Sequence, residues 1–390
     1  MKRLFALFAV ALATGIFAQQ AQQAQQPKQP EAKPTTVTIT ATTEPLKKGK
    51  PLAYQPPALE NPASWTMVVV PDVQAYVERP RNHGILDIMN AWIVDYVRTL
   101  RIQQVLFTGD LVFRNDQDRP HPDMYSLIGA EQWRAFSWLM ERLDGRVPYV
   151  LCTGNHDYGH MSSENRNSFY NDYFPTDRNP QTREHLVACA YNAFDKTTLE
   201  NSAYEFIAPE PDNRKFLIIT LEFAPRDNIL AWAKKLVDEP RFADHIGIIL
   251  THSYLAWTGK RLEKEKYKLN ELGGNAGEAI FQKLVYPAKN IRMVICGHIA
   301  APDKWERGIA FSMDKNIAGK SVAQMAFNTQ AIGGGFHGSG GDGWLRLLEF
   351  MPDKKTVKAR TFSPLFAISP STRHLAWKHD QLSEFTFTLE

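Results

Sequence analysis

Asp72-Val73-Gln74, Gly109-Asp110, Gly154-Asn155-His156-Asp157, Thr251-His252 and Gly297-His298 set carboxylates, amide oxygens and imidazoles at five separate points along the chain. Side chains of these types bind borderline divalent ions such as Mn²⁺, Fe²⁺ or Zn²⁺. The chemistry they suggest is metal-assisted hydrolysis. Taken singly, each motif has an ordinary explanation: Asp72 as a helix cap, Gly109-Asp110 as a turn, Asn155 in a left-handed turn position, His252 and His298 as satisfied core histidines. Their joint occurrence in order, each behind a similar apolar run, points instead to one site.

Those runs are Thr66 to Val70, Val105 to Thr108, Tyr149 to Thr153, Ile246 to Leu250 and Met293 to Cys296. Near-continuous apolar stretches of this length read as core strands of the parallel type, buried on both faces. Residues just beyond such strands converge at one edge of a sheet, where open α/β folds bind ligands. Between the strands, Ile85, Ile88, Met89, Trp92, Ile93, Tyr96, Val97 and Leu100 keep the helical i, i+3, i+4 rule. Trp133, Phe136, Leu139 and Leu143 mark a second helix, and Ile229, Trp232, Ala233, Leu236 and Val237 a third. After Gly297 the pattern turns strand-like over Ser321 to Phe327, Trp344 to Phe350, Thr356 to Phe362 and Glu384 to Leu389, which suggests a second sheet. The glycine-rich stretch 333–341 lacks the Lys-Thr or Lys-Ser of a phosphate-cradling loop and reads as a mobile loop near the cleft.

With 44% hydrophobic and 22% charged residues over 390 positions, the chain can bury a large core, and disorder is excluded for most of it. Residues 1–18, with Lys2-Arg3 ahead of an apolar stretch, read as a signal peptide, which implies a periplasmic or secreted protein with no membrane span after cleavage. Loss of Lys2 and Arg3 takes the net charge from +3 to +1, so neither a nucleic-acid groove nor binding to an anionic membrane surface is expected. Residues 19–63, rich in Gln, Pro, Lys and Thr, read as a flexible linker, and residues 64–390 as the folded domain. Cys152 and Cys296 fall inside core strands, and with Cys189 they make an odd set, which argues against a disulfide scaffold.

In order and spacing the motifs resemble those of the calcineurin-like metallophosphoesterase superfamily, with its D-x-H, G-D, G-N-H-D or G-N-H-E, single His and G-H-x-H pattern. The likeness covers about residues 65–365 and extends to Asn171-Asp172-Tyr173-Phe174-Pro175, Leu221 to Asp227 and Asp342 to Leu348, where it is similar to an exported bacterial branch. It implies an α/β fold, a four-layer α/β/β/α sandwich of two mixed sheets flanked by helices. It also implies two divalent metal ions bridged by Asp110. Asp72 and Gln74 would join Asp110 at the first ion, and Asn155, His252 and His298 would complete the second. His156 would be the catalytic residue beside the leaving oxygen, with Asp157 orienting its loop. The implied activity is hydrolysis of phosphomonoesters or phosphodiesters, small or glycan-linked, by attack of metal-bound hydroxide.

Three departures from the pattern matter: two weaken the first metal site, and the third removes the expected orienting partner of His156. Gln74 stands where the pattern has His, Ala300 where it has the second His of G-H-x-H, and Phe113 where an acid often follows Gly-Asp. His160 and His337 are candidates to fill the gap, and Asn115, Asp116 or Asp118 to orient His156. Arg114 and Arg226 could meet a phosphate or simply pack. The rival from another class is a non-catalytic, metal-containing binding protein that holds a glycan or nucleotide, with Trp305, Phe336 and Trp344 as stacking candidates. A serine or cysteine hydrolase is disfavoured, since there is no G-x-S-x-G elbow.

Overall fold

In the computed structural model, residues 54–119 and 126–389 are described. The expectations for residues 1–18, and for the linker up to residue 53, lie outside them. Strands β1 (Trp65–Val70), β2 (Ile102–Phe107) and β3 (Tyr149–Leu151) are mutually parallel. The chain then builds β4 (Leu186–Tyr191), β5 (Thr197–Ile207), β6 (Lys215–Thr220), β7 (Ile246–Leu250), β8 (Ile291–Cys296), β9 (Ile309–Lys315) and β10 (Ser321–Phe327). It ends in β11 (Leu345–Phe350), β12 (Thr356–Phe362), β13 (Trp377–Lys378) and β14 (Glu384–Thr388). Two seven-stranded mixed sheets result. One runs β13-β12-β11-β1-β2-β3 with β14 also on β12, and the other β4-β5-β6-β7-β8-β10-β9.

Side-chain alternation along the strands sorts the core into three apolar layers. On β1, Trp65, Met67 and Val69 face the opposite sheet, where they meet Phe216 and Ile218 of β6, Ile248 and Leu250 of β7, and Met293 and Ile295 of β8. Val68 and Val70 point the other way, onto the helices His83–Tyr96 and Gly129–Met140 through Leu86, Met89, Trp92, Trp133 and Phe136. The far side of the second sheet, including Leu217, Ile219 and Val294, is covered by Ile229, Leu230 and Ala233 of the helix Asp227–Val237, and by Ile280 and Phe281. This is the α/β/β/α sandwich that the sequence implied. Trp65 anchors the middle layer, stacked on Phe350 with centroids 4.2 Å apart and donating its Nε1–H to Asp212 Oδ2 at 2.7 Å.

The strands after Gly297 do not make a sheet of their own. One flank of β1 is taken by β2, and β11 closes the other flank in antiparallel register, pairing Trp65 with Phe350, while β10 lies parallel to β8 in the opposite sheet. The motif-bearing strands therefore belong to two sheets rather than one edge of a single sheet. Parallel pairing within β1-β2-β3 and within β6-β7-β8-β10 still brings the carboxyl ends in each group together. The ordered backbone also reaches back beyond Ser64. Tyr54 and Leu59 pack against the helix-side core, and the Glu60 amide donates to Glu349 Oε1 at 2.7 Å. Among the described residues no helix is long and apolar enough to cross a membrane.

Candidate metal centre

Each predicted ligand sits in the turn that leaves a strand. Asp72 and Gln74 follow β1, Asp110 follows β2, Asn155 and His156 follow β3, His252 follows β7 and His298 follows β8. The turns interlock tightly. Gly109 has φ +105°, and a Cβ there would lie 2.6 Å from His252 Nδ1. A Cβ on Gly154 would overlap Asp110 Oδ1, so only glycine lets the second and third motifs touch. Asp110 (φ +49°) and His298 (φ +69°) hold left-handed conformations that non-glycine residues adopt at a cost, a common mark of functional turns.

Donor atoms converge from both sheets. Asp110, His252 and His298 each offer one ligand atom, and these lie within 4.8 Å of one another. His252 Nε2 is 3.3 Å from Asp110 Oδ2, 3.1 Å from Asn155 Oδ1 and 3.0 Å from His298 Nδ1. Its other nitrogen, Nδ1, faces the Thr108 carbonyl at 2.8 Å, a contact that directs Nε2 into the cluster. Two ring nitrogens, an amide oxygen and a carboxylate pointing at one another form a donor set that fits a divalent cation, and the four residues could hold one.

Electrostatics agree with that reading. Burial works against a charged His252, yet the carboxylates of Asp110 and Asp72 outweigh it and raise its pKa to about 10, so this pocket favours positive charge among the donors. Burial would raise Asp110 too, but His252 and His156 keep it below the ordinary carboxylate range. Asp72 goes the other way, to about 7, because burial dominates there.

The first-ion position is built differently from the pattern that the resemblance implied. Asp72 is fully buried and accepts from Thr108 Oγ1 at 3.0 Å, from Asn328 Nδ2 at 2.7 Å and from the His298 amide at 3.1 Å. Gln74 lies buried beside Gln330, its Nε2 donating to Gln330 Oε1, while its own Oε1 is sealed from solvent with no partner. An orphaned buried oxygen two residues along the chain from Asp72 fits an oxygen ligand to a hard ion. Asn328 and Gln330, in the turn after β10, are the residues that sequence reasoning missed. Their signal was present, since β10 is a sixth apolar run ending in polar side chains. Ala300 is exposed. His160 is also exposed and pairs with Asp116 at 3.0 Å, and neither it nor His337 joins the converging group.

His156 lies between the metal cluster and an aromatic stack. Its amide donates to Asp110 Oδ1 at 3.0 Å, and its Nδ1 faces the Phe113 carbonyl at 2.8 Å. The Phe113 ring stacks on the imidazole at 5.0 Å, and Phe336 packs tilted against Phe113 at 4.5 Å. Phe113 thus orients His156 through its backbone. None of the acids or amides considered from sequence does so. Asn115 instead ties Gly159 and Asn167 to Trp133. Burial lowers the His156 pKa against the pull of Asp110. Phe336 belongs to the glycine-rich stretch, which is fastened rather than loose: Arg81 donates to its carbonyl and Asp303 accepts from Gly334. Asp157 accepts from Leu111, Val112 and Gly154, joining the second and third motifs as expected. Arg226 packs, with Glu222 at 2.8 Å and the Tyr191 carbonyl as partners, whereas Arg114 lies over the Phe113 ring. Trp344 is buried framework, stacked edgewise on Trp305. All three cysteines are free, Cys152 and Cys296 buried.

Fold and site together define an α/β sandwich whose strand ends assemble a cluster of metal-ligand type at the sheet edges. Residues 66–302 match the Calcineurin-like phosphoesterase family, and the chain belongs to it. The chain is 28% identical over 319 residues to the uncharacterized protein YvnB of Bacillus subtilis (strain 168), an alignment covering 79% of this chain and 20% of that protein. It therefore spans about a fifth of that relative's length. Among solved structures, GAP50, the anchor in the inner membrane complex of Plasmodium, aligns with TM-score 0.44 and 10% identity over 84% of this chain and 90% of that one.

Proposed function

We propose that this chain is a metal-dependent phosphoester hydrolase, exported to the periplasm or beyond, acting on phosphomonoesters or phosphodiesters of small or glycan-linked substrates. The observation that carries the proposal is the meeting of Asp110, His252 and His298 ligand atoms within 4.8 Å, with Asn155 Oδ1 on the same imidazole nitrogen. Asp110, Asn155, His252 and His298 would hold one ion, and Asp72, Gln74 and Asp110 a second. Bound divalent ions would supply Lewis acidity toward a phosphoryl oxygen and a nucleophile at neutral pH.

The protein's own groups would do the rest. His156 has Nδ1 engaged with the Phe113 carbonyl, so Nε2 is the nitrogen left to meet the departing oxygen. Its stack on Phe113, which Phe336 backs in turn, would hold the ring plane. A poor leaving group needs that nitrogen most.

Hydrolysis of an aryl phosphomonoester and a bis-aryl phosphodiester by the Mn²⁺-loaded protein is the test. One ester or both is turned over, and His156→Ala lowers kcat by about 10²–10⁴, more for alkyl than for aryl leaving groups. A metal-replete protein inert toward every phosphoester class would overturn the proposal.

A further inference from the structure

The two ring nitrogens of His298 have different surroundings. Nδ1 faces the cluster, 3.0 Å from His252 Nε2, whereas Nε2 lies 3.3 Å from Glu265 Oε1. Glu265 stands outside the converging group of Asp110, His252 and His298. It comes from irregular backbone in the connection between β7 and β8. The same carboxylate oxygen accepts from Ser253 Oγ at 2.6 Å, and Ser253 directly follows His252. One oxygen atom therefore touches both imidazole-bearing turns.

The segment that carries Glu265 is held on both sides. Upstream, Arg261 donates to Glu278 at 2.6 Å and to Asp314 at 2.7 Å, and the Leu262 amide donates to the Tyr254 carbonyl. Downstream, the Tyr267 ring packs edgewise on His298 at 5.6 Å and on Phe223 at 5.4 Å, and Leu269 is buried. An incidental surface ion pair would have neither anchor, and the Glu265 side chain is only 13% exposed.

We propose that Glu265 is a positioning residue for the metal centre: its carboxylate accepts the Nε2–H of His298, which fixes the tautomer that presents Nδ1 to the ion, and through Ser253 it keeps the His252 turn in register. The inference rests on the metal-dependent reading above. A carboxylate behind a ligating imidazole orients the ring and raises its basicity, and loss of such a partner costs about 10–100-fold in metal affinity. In the sequence, Glu263-Lys264-Glu265-Lys266 reads as a solvated run of alternating charge, so the role was invisible there.

The experiment is calorimetric titration of the chelator-stripped full chain with Mn²⁺, for wild type, Glu265→Ala and Glu265→Gln, with ions per chain counted by elemental analysis. The expected result for Glu265→Ala is a loss of about 10–100-fold at one ion. Glu265→Gln keeps an acceptor oxygen without the charge and falls between the two, about 3–10-fold weaker than wild type. Wild-type affinity in both variants overturns the role of Glu265 and leaves the metal-dependent reading standing. If Glu265→Ala does not fold, Glu265→Gln decides alone, and wild-type affinity there overturns the role. Failure of the wild-type chain to bind Mn²⁺ overturns both. Weakened Mn²⁺ binding in the variants of a wild type that hydrolyses no phosphoester supports the role of Glu265 and counts against the hydrolase alone.

Discussion

Asp157→Ala removes a fully buried carboxylate that accepts three backbone N–H groups. Leu111 and Val112 donate to Oδ1 at 2.8 and 3.0 Å, and Gly154 donates to Oδ2 at 2.7 Å. These amides lie in the turns that present Asp110 and Asn155, so the substitution strikes the clasp between two ligand turns. Each N–H left without a partner costs about 1–3 kcal/mol, and a water entering the vacated space recovers part of that, for a total of about 3–5 kcal/mol. With a urea m-value of about 3 kcal/mol per molar, the unfolding midpoint falls by about 1–1.7 M. Asp157→Asn keeps the oxygen facing Leu111 and Val112 but turns an NH₂ toward the Gly154 N–H, so its loss is smaller, about 2–3 kcal/mol. The assay is urea unfolding of the metal-free protein, followed by tryptophan fluorescence and far-ultraviolet circular dichroism together. The expected order of midpoints is wild type, Asp157→Asn, Asp157→Ala. An Asp157→Ala midpoint within roughly 0.3 M of wild type would show that these hydrogen bonds do not hold the turns, and would refute the reasoning.

Gly297→Ala forces a Cβ into Asp72 Oδ1 and the Thr108 side chain, so Mn²⁺ affinity should drop by about tenfold or more while far-ultraviolet dichroism is retained; unchanged affinity in a calorimetric titration would show that the turn can give way. Asp212 is held below the ordinary carboxylate range: burial pushes it up, but hydrogen bonds from Arg214 and Trp65 outweigh burial. Its stabilising contribution is therefore complete above the unfolded value of about 4 and is lost as pH falls through the lower folded value. Asp212→Asn should cost about 1–3 kcal/mol at pH 7 and much less near pH 2, and an equal cost at both in urea titrations would contradict the assignment.

The layered fold was legible because strands buried on both faces leave long apolar runs, as in Thr66 to Val70 and Ile246 to Leu250. The helices were legible from their period, although the ordered helix ends at Tyr96 and the expected positions Val97 and Leu100 fall in the turn beyond it. Sheet membership was not legible. Pairing of β11 with β1, across most of the chain, depends on which flank of β1 is free, and no local pattern records that. The hairpin of β4 and β5, and strand β6, also went unread; β4 is mostly half-buried and carries no sustained alternation.

Within the site, the sequence motifs mark Asp110, Asn155, His252 and His298, whose donor atoms converge in space. What it hid is the set of partners that hold those donors. The Phe113 carbonyl on His156 is a backbone atom, so residue identity says nothing of it. Asn328 and Gln330 reach Asp72 and Gln74 from more than two hundred residues away, and Glu265 lies in a charged loop that looks solvated. Such contacts are set by the tertiary arrangement of turns, which local spacing does not encode.

The central claim is that Asp110 lies at the heart of a metal-dependent hydrolytic centre. Its most direct test counts Mn²⁺ per chain in wild type and Asp110→Asn, and measures phosphoester turnover in the same samples. The account predicts two ions and turnover in the wild type, with ion loss and a fall in kcat/KM of at least about 10³ in the variant. Turnover at the wild-type rate in Asp110→Asn, or a wild type that binds one ion or none and hydrolyses nothing, would contradict it.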